Sequence, residues 1–259
     1  ALMILPNSGR EFRNLFKQQP RLFWQLFFAN GIQSGLGTYL SILGISQTEA
    51  INAGFLVKFA TVTTILFAWV ILNERLTYIK VMMVLTMLSG AYLLTTKGQI
   101  IIPRIGDLFI IAACICWSLG NVLIRKYLIN KPVSVDIVTF QKPISGLPVI
   151  LVLVGISIWN PGVFLGTQSA NSCCQMSAPV LLYGLGNGFC LAMTWMYLNH
   201  TLKTATASYM TMMSMATPVI VSLLAMIFLK ETLDWVQVVG GGMIVMSGVV
   251  TYFSGIAQT

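Results

Sequence analysis

Apolar residues along this chain fall in long blocks, and the short polar stretches between them carry most of its charge. With about twenty consecutive apolar residues taken as one bilayer crossing, the pattern predicts eight spans. They lie at 22–44, 48–72, 78–96, 106–128, 134–158, 178–199, 205–229 and 235–255. The expected fold class is all-α, a polytopic membrane helical bundle.

Composition agrees: 56% of residues are hydrophobic and 8% are charged, whereas a soluble domain carries about 25% charged residues. The net charge of +8 changes the picture only through its placement. The loops "GREFRNLFKQQPR", "NERLTYIK", "RKYLINK" and "LNHTLK" hold ten Lys or Arg, against three in the loops that alternate with them. Short-loop bias of this size places the first set in the cytoplasm, with both ends of this sequence on that side and the plasma (inner) membrane as the expected location. Trp24, Trp69, Trp159 and Trp235 fall near span ends, where interfacial indoles belong. Basic residues spread over loops also exclude a nucleic-acid-binding face.

The five cysteines have no accompanying His/Cys ligand set, and His200 is the single histidine, so no metal or cofactor is expected. No GxxxxGK[ST] loop points to ATP hydrolysis, and no HExxH or Asp-rich motif to catalysis. The chain begins at Ala1 in "ALMILPN", which reads as the tail of an apolar segment whose start has been lost.

Shifting the chain against itself by 157 positions brings out an internal repeat. Asn30-Gly31 falls on Asn187-Gly188, Ala50 on Ala207, Val62 on Val219, Ala68 on Ala225 and Glu74 on Glu231, with Ser89-Gly90 meeting Ser247-Gly248 one position later. The repeat divides the chain into residues 1–97, holding the last three spans of a first copy, and 105–256, a second copy of five. Five crossings are an odd number, so consecutive copies enter the membrane from opposite sides. Inverted repeats suit secondary transporters, because two related halves exchange shapes around a midplane site.

Each copy has a small-residue span, an acidic turn and a Gly-containing span: "ILNERLTYIKVMMVLTMLSGAYLL" and "FLKETLDWVQVVGGGMIVMSGVV". With Pro218 in "MATPVIVSLLAMIFLKE", "CWSLGNVLIRKY" and "VTFQKPISG", this pattern resembles the EamA-like branch of the drug/metabolite transporter superfamily. The resemblance implies two inverted five-helix repeats, ten spans in the full protein with eight visible here, and often a basic residue at the place of Lys142. Thr61 stands where the second copy has Pro218, which predicts a straighter helix in the first copy.

Candidate chemistry centres on Lys58, about ten residues into the span 48–72. A lysine at bilayer centre costs about 2.5 to 3.5 kcal/mol unless water or a partner receives it. At 100° per residue it shares a face with Ala50, Gly54, Thr61, Ile65 and Ala68, opposite Leu56, Phe59, Phe67 and Val70. The equivalent helix repeats the design with Ala207, Thr211, Met215, Pro218, Ser222 and Ala225. Lys58 is read as a cavity cation for an anionic group, the alternative being a buried pair with Glu49 or an upstream acid. Lys142 is the second in-membrane lysine, with substrate contact weighed against headgroups or Asp136. Glu74 and Glu231 are read as turn carboxylates that satisfy backbone donors, and Met210, Met212, Met213 and Met215 as packing or a flexible apolar surface.

The expected substrate-binding positions are Asn30, Gln33, Lys58, Thr61, Lys142, Tyr183, Asn187, Tyr209, Met215 and Ser222. The expected function is a secondary-active carrier of a small organic metabolite with an anionic group, working by alternating access and not an enzyme. Its partners are the small-molecule substrate and the lipid bilayer, with a homodimer left open. A membrane-embedded enzyme and a non-transporting scaffold are the alternatives.

Overall fold

The computed structural model describes residues 13, 15–100, 102–129, 133–159, 178–228, 230 and 232–254, and every regular element among them is helical. Helix α1 (Pro20–Asn30) starts on a proline and runs through a π-helical stretch, Gly31–Leu36, into α2 (Gly37–Ser46). Then come α3 (Ala50–Leu56), α4 (Phe59–Leu72), α5 (Tyr78–Thr96), α6 (Ile105–Leu128) and α7 (Val135–Trp159). The chain continues with α8 (Ala178–Thr204), α9 (Ala207–Ser214), α10 (Thr217–Phe228) and α11 (Trp235–Phe253).

Among the described residues six stretches are long and apolar enough to cross a membrane: Ala50–Leu72, Tyr78–Thr96, Ile105–Leu128, Val135–Ile156, Ala207–Phe228 and Trp235–Phe253. The expected spans 22–44 and 178–199 are also helical, but polar residues such as Gln33, Ser34 and Asn187 dilute them. Six of the eight expected spans therefore pass on length and apolarity together.

The repeat is visible in the backbone. Asn73, which caps α4, and Lys230, 157 positions further on, both have positive φ, at 54° and 55°. The equivalent helices α5 and α11 make the most extensive helix pair. They run antiparallel: Lys97 just past the end of α5 pairs at 2.9 Å with Asp234 at the start of α11, and Gln237 Nε2 donates to Leu94 O at 3.1 Å. Sequence-equivalent helices that run in opposite directions are what inverted copies require. Their crossing depends on Gly90 and Gly240, since a Cβ on either would lie 2.6 Å from the other's carbonyl oxygen.

The two ends of the bundle are built differently. At one end Arg125 and Glu74 form an ion pair at 3.2 Å with side chains 13% and 7% exposed. Lys203 Nζ donates to Val133 O nearby at 2.9 Å. A large apolar cluster that includes Leu22, Leu26, Val122, Leu128 and Leu202 fills this end. At the other end the ion pairs Lys97–Asp234 and Arg104–Glu49 are about half exposed. Each ion pair among the described residues joins loops that the charge pattern assigns to a single side.

The span 48–72 departs from expectation. Thr61 was expected to leave it straighter than its proline-containing counterpart, yet both are interrupted at equivalent depth. Val57–Lys58 separates α3 from α4, and Met215–Ala216 separates α9 from α10.

A Gly240→Val variant is expected to lose about 1 to 3 kcal/mol of stability through overpacking at the α5–α11 crossing. Gly242→Ala, where an added Cβ meets nothing within 4 Å, should leave the melting temperature in detergent unchanged or slightly higher.

Candidate functional site

A helix crossing hydrocarbon has to bond its own amides, because no water is there to take them. At the first interruption Lys58 N donates back to Phe55 O at 2.9 Å, and Ala60 N to Val57 O at 3.2 Å. This tighter 3₁₀-type pairing deprives Leu56 O of its usual donor. Cys114 Sγ on α6 supplies one at 3.5 Å, and Ser118 Oγ donates to Ala60 O at 2.9 Å. Helix α6 thus holds the break open without a proline.

The second interruption follows the same logic with different parts. Met215 N bonds Met212 O at 3.1 Å, which releases Thr211 O, and Thr61 Oγ1 from the first copy donates to it at 3.3 Å. Pro218 has no N–H for Ser214 O, so Thr217 Oγ1 takes that role at 2.7 Å. Thr61, at the proline position of its own copy, therefore repairs the break in the other.

Between the two breaks lies a cavity of about 680 Å³ whose walls come from the π-helical stretch and α2, α4, α6, α7, α8, α9 and α10. Lys58 lines it from the α3–α4 turn and Met215 from the α9–α10 turn, as their repeat equivalence implies. Gln33 lines it from the π-helical stretch and donates through Nε2 to Asn121 Oδ1 on α6. Gly120 allows that approach, since a Cβ there would lie 2.5 Å from Gln33 Cβ. Ser34 Oγ, on the same stretch, lies 2.6 Å from Asn30 O and 3.0 Å from Lys142 O, joining α1 to α7.

Lys142 enters from α7, just before Pro143. Its side chain is 1% exposed, and its ammonium lies 5.5 Å from the centre of the Trp195 ring on α8. Among the described residues neither Lys58 nor Lys142 has an ion-pair partner, and no carboxylate lines the cavity. The alternative of a Lys58–Glu49 pair is removed by the commitment of Glu49 to Arg104. Asp136 makes no ion pair with Lys142.

Five expected positions come together here: Gln33, Lys58, Thr61, Lys142 and Met215. Five do not. Asn30 is fully buried between α1 and α7, with Nδ2 at 3.5 Å from Val138 O and 3.4 Å from Gln141 Oε1. On α8 the lining residues are Leu191, Trp195 and Leu198; Asn187 and Tyr183 continue that stripe beyond the cavity and are exposed, Tyr183 at 79%. Ser222 lies a turn past Pro218, also outside the lining, and Tyr209 sits off the face that carries Met210 and Thr211. On α8 the expected positions share the lining stripe at another depth, whereas on α10 the lining residue is Thr217, about 140° around the helix from Ser222. Trp117, Asn121 and Trp195 were missed, although an asparagine four residues from a tryptophan in an apolar helix was a readable signal.

Glu74 satisfies backbone donors as expected, but those of the other copy. It accepts from Ala207 N at 2.9 Å, Ser208 N at 3.3 Å and Ser208 Oγ at 2.6 Å, capping α9, while Arg125 Nη1 donates to Leu202 O at 2.8 Å. Glu231, Cys173 and Cys174 lie outside the described residues. Of the methionines, Met210 and Met215 line the cavity, while Met212 packs with Ile65, Val84 and Met87. No group of three His, Cys, Asp or Glu among the described residues could hold a metal.

The sequence matches the family model described as the EamA-like transporter family over residues 2–96 and again over 104–253. Among solved structures, one described only as a crystal structure of a protein is similar, with a TM-score of 0.70 and 17% identity. The match covers 95% of this chain and 83% of that one, a likeness of fold. No curated protein matches the chain.

A buried ammonium without a counter-ion opposes folding. Lys142→Met is therefore expected to raise the melting temperature of the ligand-free protein, by about 1 kcal/mol or more of stability. A lower melting temperature would show that Lys142 is held by a partner it needs.

Proposed function

The chain belongs to the EamA-like transporter family, and we propose that it is a secondary carrier moving a small organic solute with an anionic group by alternating access. The carrying observation is the pair of inverted helices broken at equivalent depth, with the cavity between them and Lys58 on one break. Irregular backbone at membrane depth is tolerated where it lines a cavity, and broken helices at a repeat interface are a recurring transporter plan. Lys58 supplies the counter-charge for the solute's anionic group.

The unequal ends support alternation. Met210 lines the cavity and also belongs to the apolar cluster at the Glu74 end, which makes that cluster the cavity's floor. Glu74 ties the loop between α4 and α5 to the start of α9 and to Arg125, so opening this side requires Glu74 to release α9. The opposite end is joined by exposed pairs that cost little to exchange. The loop-charge bias supports a cytoplasmic Glu74 end in a plasma membrane.

Full-length protein in proteoliposomes, preloaded for counterflow with a panel of radiolabelled organic acids, amino acids and amines, is expected to show saturable uptake of at least one. Lys58→Met should reduce it by about tenfold or more, as loss of a charge partner worth ~1.4 kcal/mol implies. Fluxes equal to those of protein-free liposomes across the whole panel would remove the carrier reading. In a cysteine-free background carrying Ser214→Cys, Glu74→Gln should speed labelling by an impermeant maleimide from the Glu74 side about tenfold or more. An unchanged labelling rate would mean that Glu74 is only a helix cap.

A further inference from the structure

The wall chemistry narrows the solute further, and this step rests on the carrier reading. We infer that the solute is an amphipathic organic anion without a cationic group: a carboxylate or phosphate head on an aliphatic or aromatic body. Lys142 with Trp195 is the pair that selects it.

Charge excludes cations and zwitterions. Lys58 and Lys142 face the same cavity and no described carboxylate does. The acids at the two ends of the flanking helices are already engaged, Glu74 by Arg125 and Glu49 by Arg104. A solute ammonium would find no counter-charge and would meet two like charges in a medium that screens poorly. A free amino acid is disfavoured for this reason, although its carboxylate alone would fit.

Charge places the head on the lysines. The cavity hydroxyls of Ser34, Thr61, Thr64, Thr211, Ser214 and Thr217 all donate their hydrogens to helix carbonyls and offer the solute lone pairs. The other lining donors, Thr38, the indoles of Trp117 and Trp195 and the amides of Gln33 and Asn121, are neutral, so the positive charge comes from Lys58 and Lys142.

Lys142 is the more discriminating of the two. It is 1% exposed, its ammonium lies over the Trp195 face, and no described carboxylate pairs with it. A cation–π contact offsets only part of the cost of taking an ammonium out of water. An anion that reaches Lys142 supplies the missing partner, and its affinity gains what the free protein lacks. Leu147 and Ile150 on α7 and Leu191 and Leu198 on α8 line the cavity with it. A head held at Lys142 therefore has apolar wall beside it for a body, a contribution of about 0.8 kcal/mol per buried CH₂.

The test is a thermal-shift titration of purified full-length protein with four matched probes: 3-phenylpropionate, 3-phenylpropylamine, phenylalanine and acetate. A phenyl phosphate arm separates a carboxylate head from a phosphate one. The expected result is stabilisation by 3-phenylpropionate or phenyl phosphate, at least about tenfold weaker by acetate and phenylalanine, and none by the amine. Lys142→Met should weaken the anion about tenfold or more, Lys142→Arg should retain most of the affinity, and Trp195→Leu should narrow the gap between anion and amine. Equal shifts by the amine or by phenylalanine, full anion affinity in Lys142→Met, or no shift with any probe would overturn the inference. Counterflow with a zwitterion would overturn it too while leaving the carrier reading standing, and counterflow with a cation or neutral solute would leave only the transport part of that reading; anion binding without transport would remove the carrier reading and leave the anion selectivity.

Discussion

A polypeptide in hydrocarbon has to satisfy each backbone amide and carbonyl within the protein. This structure is organised around two places where that rule is met by substitutes. In each broken span the ordinary helical bond is lost for about one turn. The stranded carbonyls are taken by a thiol of α6, by Thr217, and by Thr61 reaching across from the opposite copy. Such substitutes are weaker and more easily exchanged than a helical ladder. The breaks are therefore where the bundle can change shape without exposing unbonded backbone to lipid.

The same constraint governs the charges. Arg125 and Glu74 are nearly buried, and they pair with each other while also bonding the ends of α8 and α9. Among the described residues Lys58 and Lys142 have no such partners, and both line one cavity. In a low-dielectric setting an uncompensated ammonium opposes folding. The proposed solute site is thus the place where stability is given up, and the Glu74 end is secured by a nearly buried ion pair.

Much of this was legible in the amino-acid pattern, for identifiable reasons. Apolar block length located six of the eight expected spans, because bilayer thickness leaves little choice. Loop charge divided the loops into the two groups that the ion pairs respect. The helical wheel around Lys58 placed Thr61 beside it, and the 157-residue shift paired it with Met215, but Ile65 and Ala68 of the same expected face pack in apolar clusters. The errors came where periodicity carries no information. Tyr183 and Asn187 lie on the lining stripe of α8 but too far along it, since an angular repeat says nothing about depth, and Ser222 is on another face of α10 from Thr217. Asn30 is also on a lining stripe, one turn from Ser34, but at the level where α1 meets α7, so it packs instead of facing the cavity.

The sequence alone therefore determined a helical membrane bundle of two inverted copies, because hydrophobic length, charge bias and self-similarity are properties of a one-dimensional string. Only tertiary structure decided which side chains share the cavity, that a threonine copy breaks as its proline copy does, and that Glu74 serves the opposite repeat. Those outcomes depend on donors brought from distant helices. Cys114 and Ser118 stand more than fifty residues from the carbonyls they receive, and no local pattern encodes that meeting.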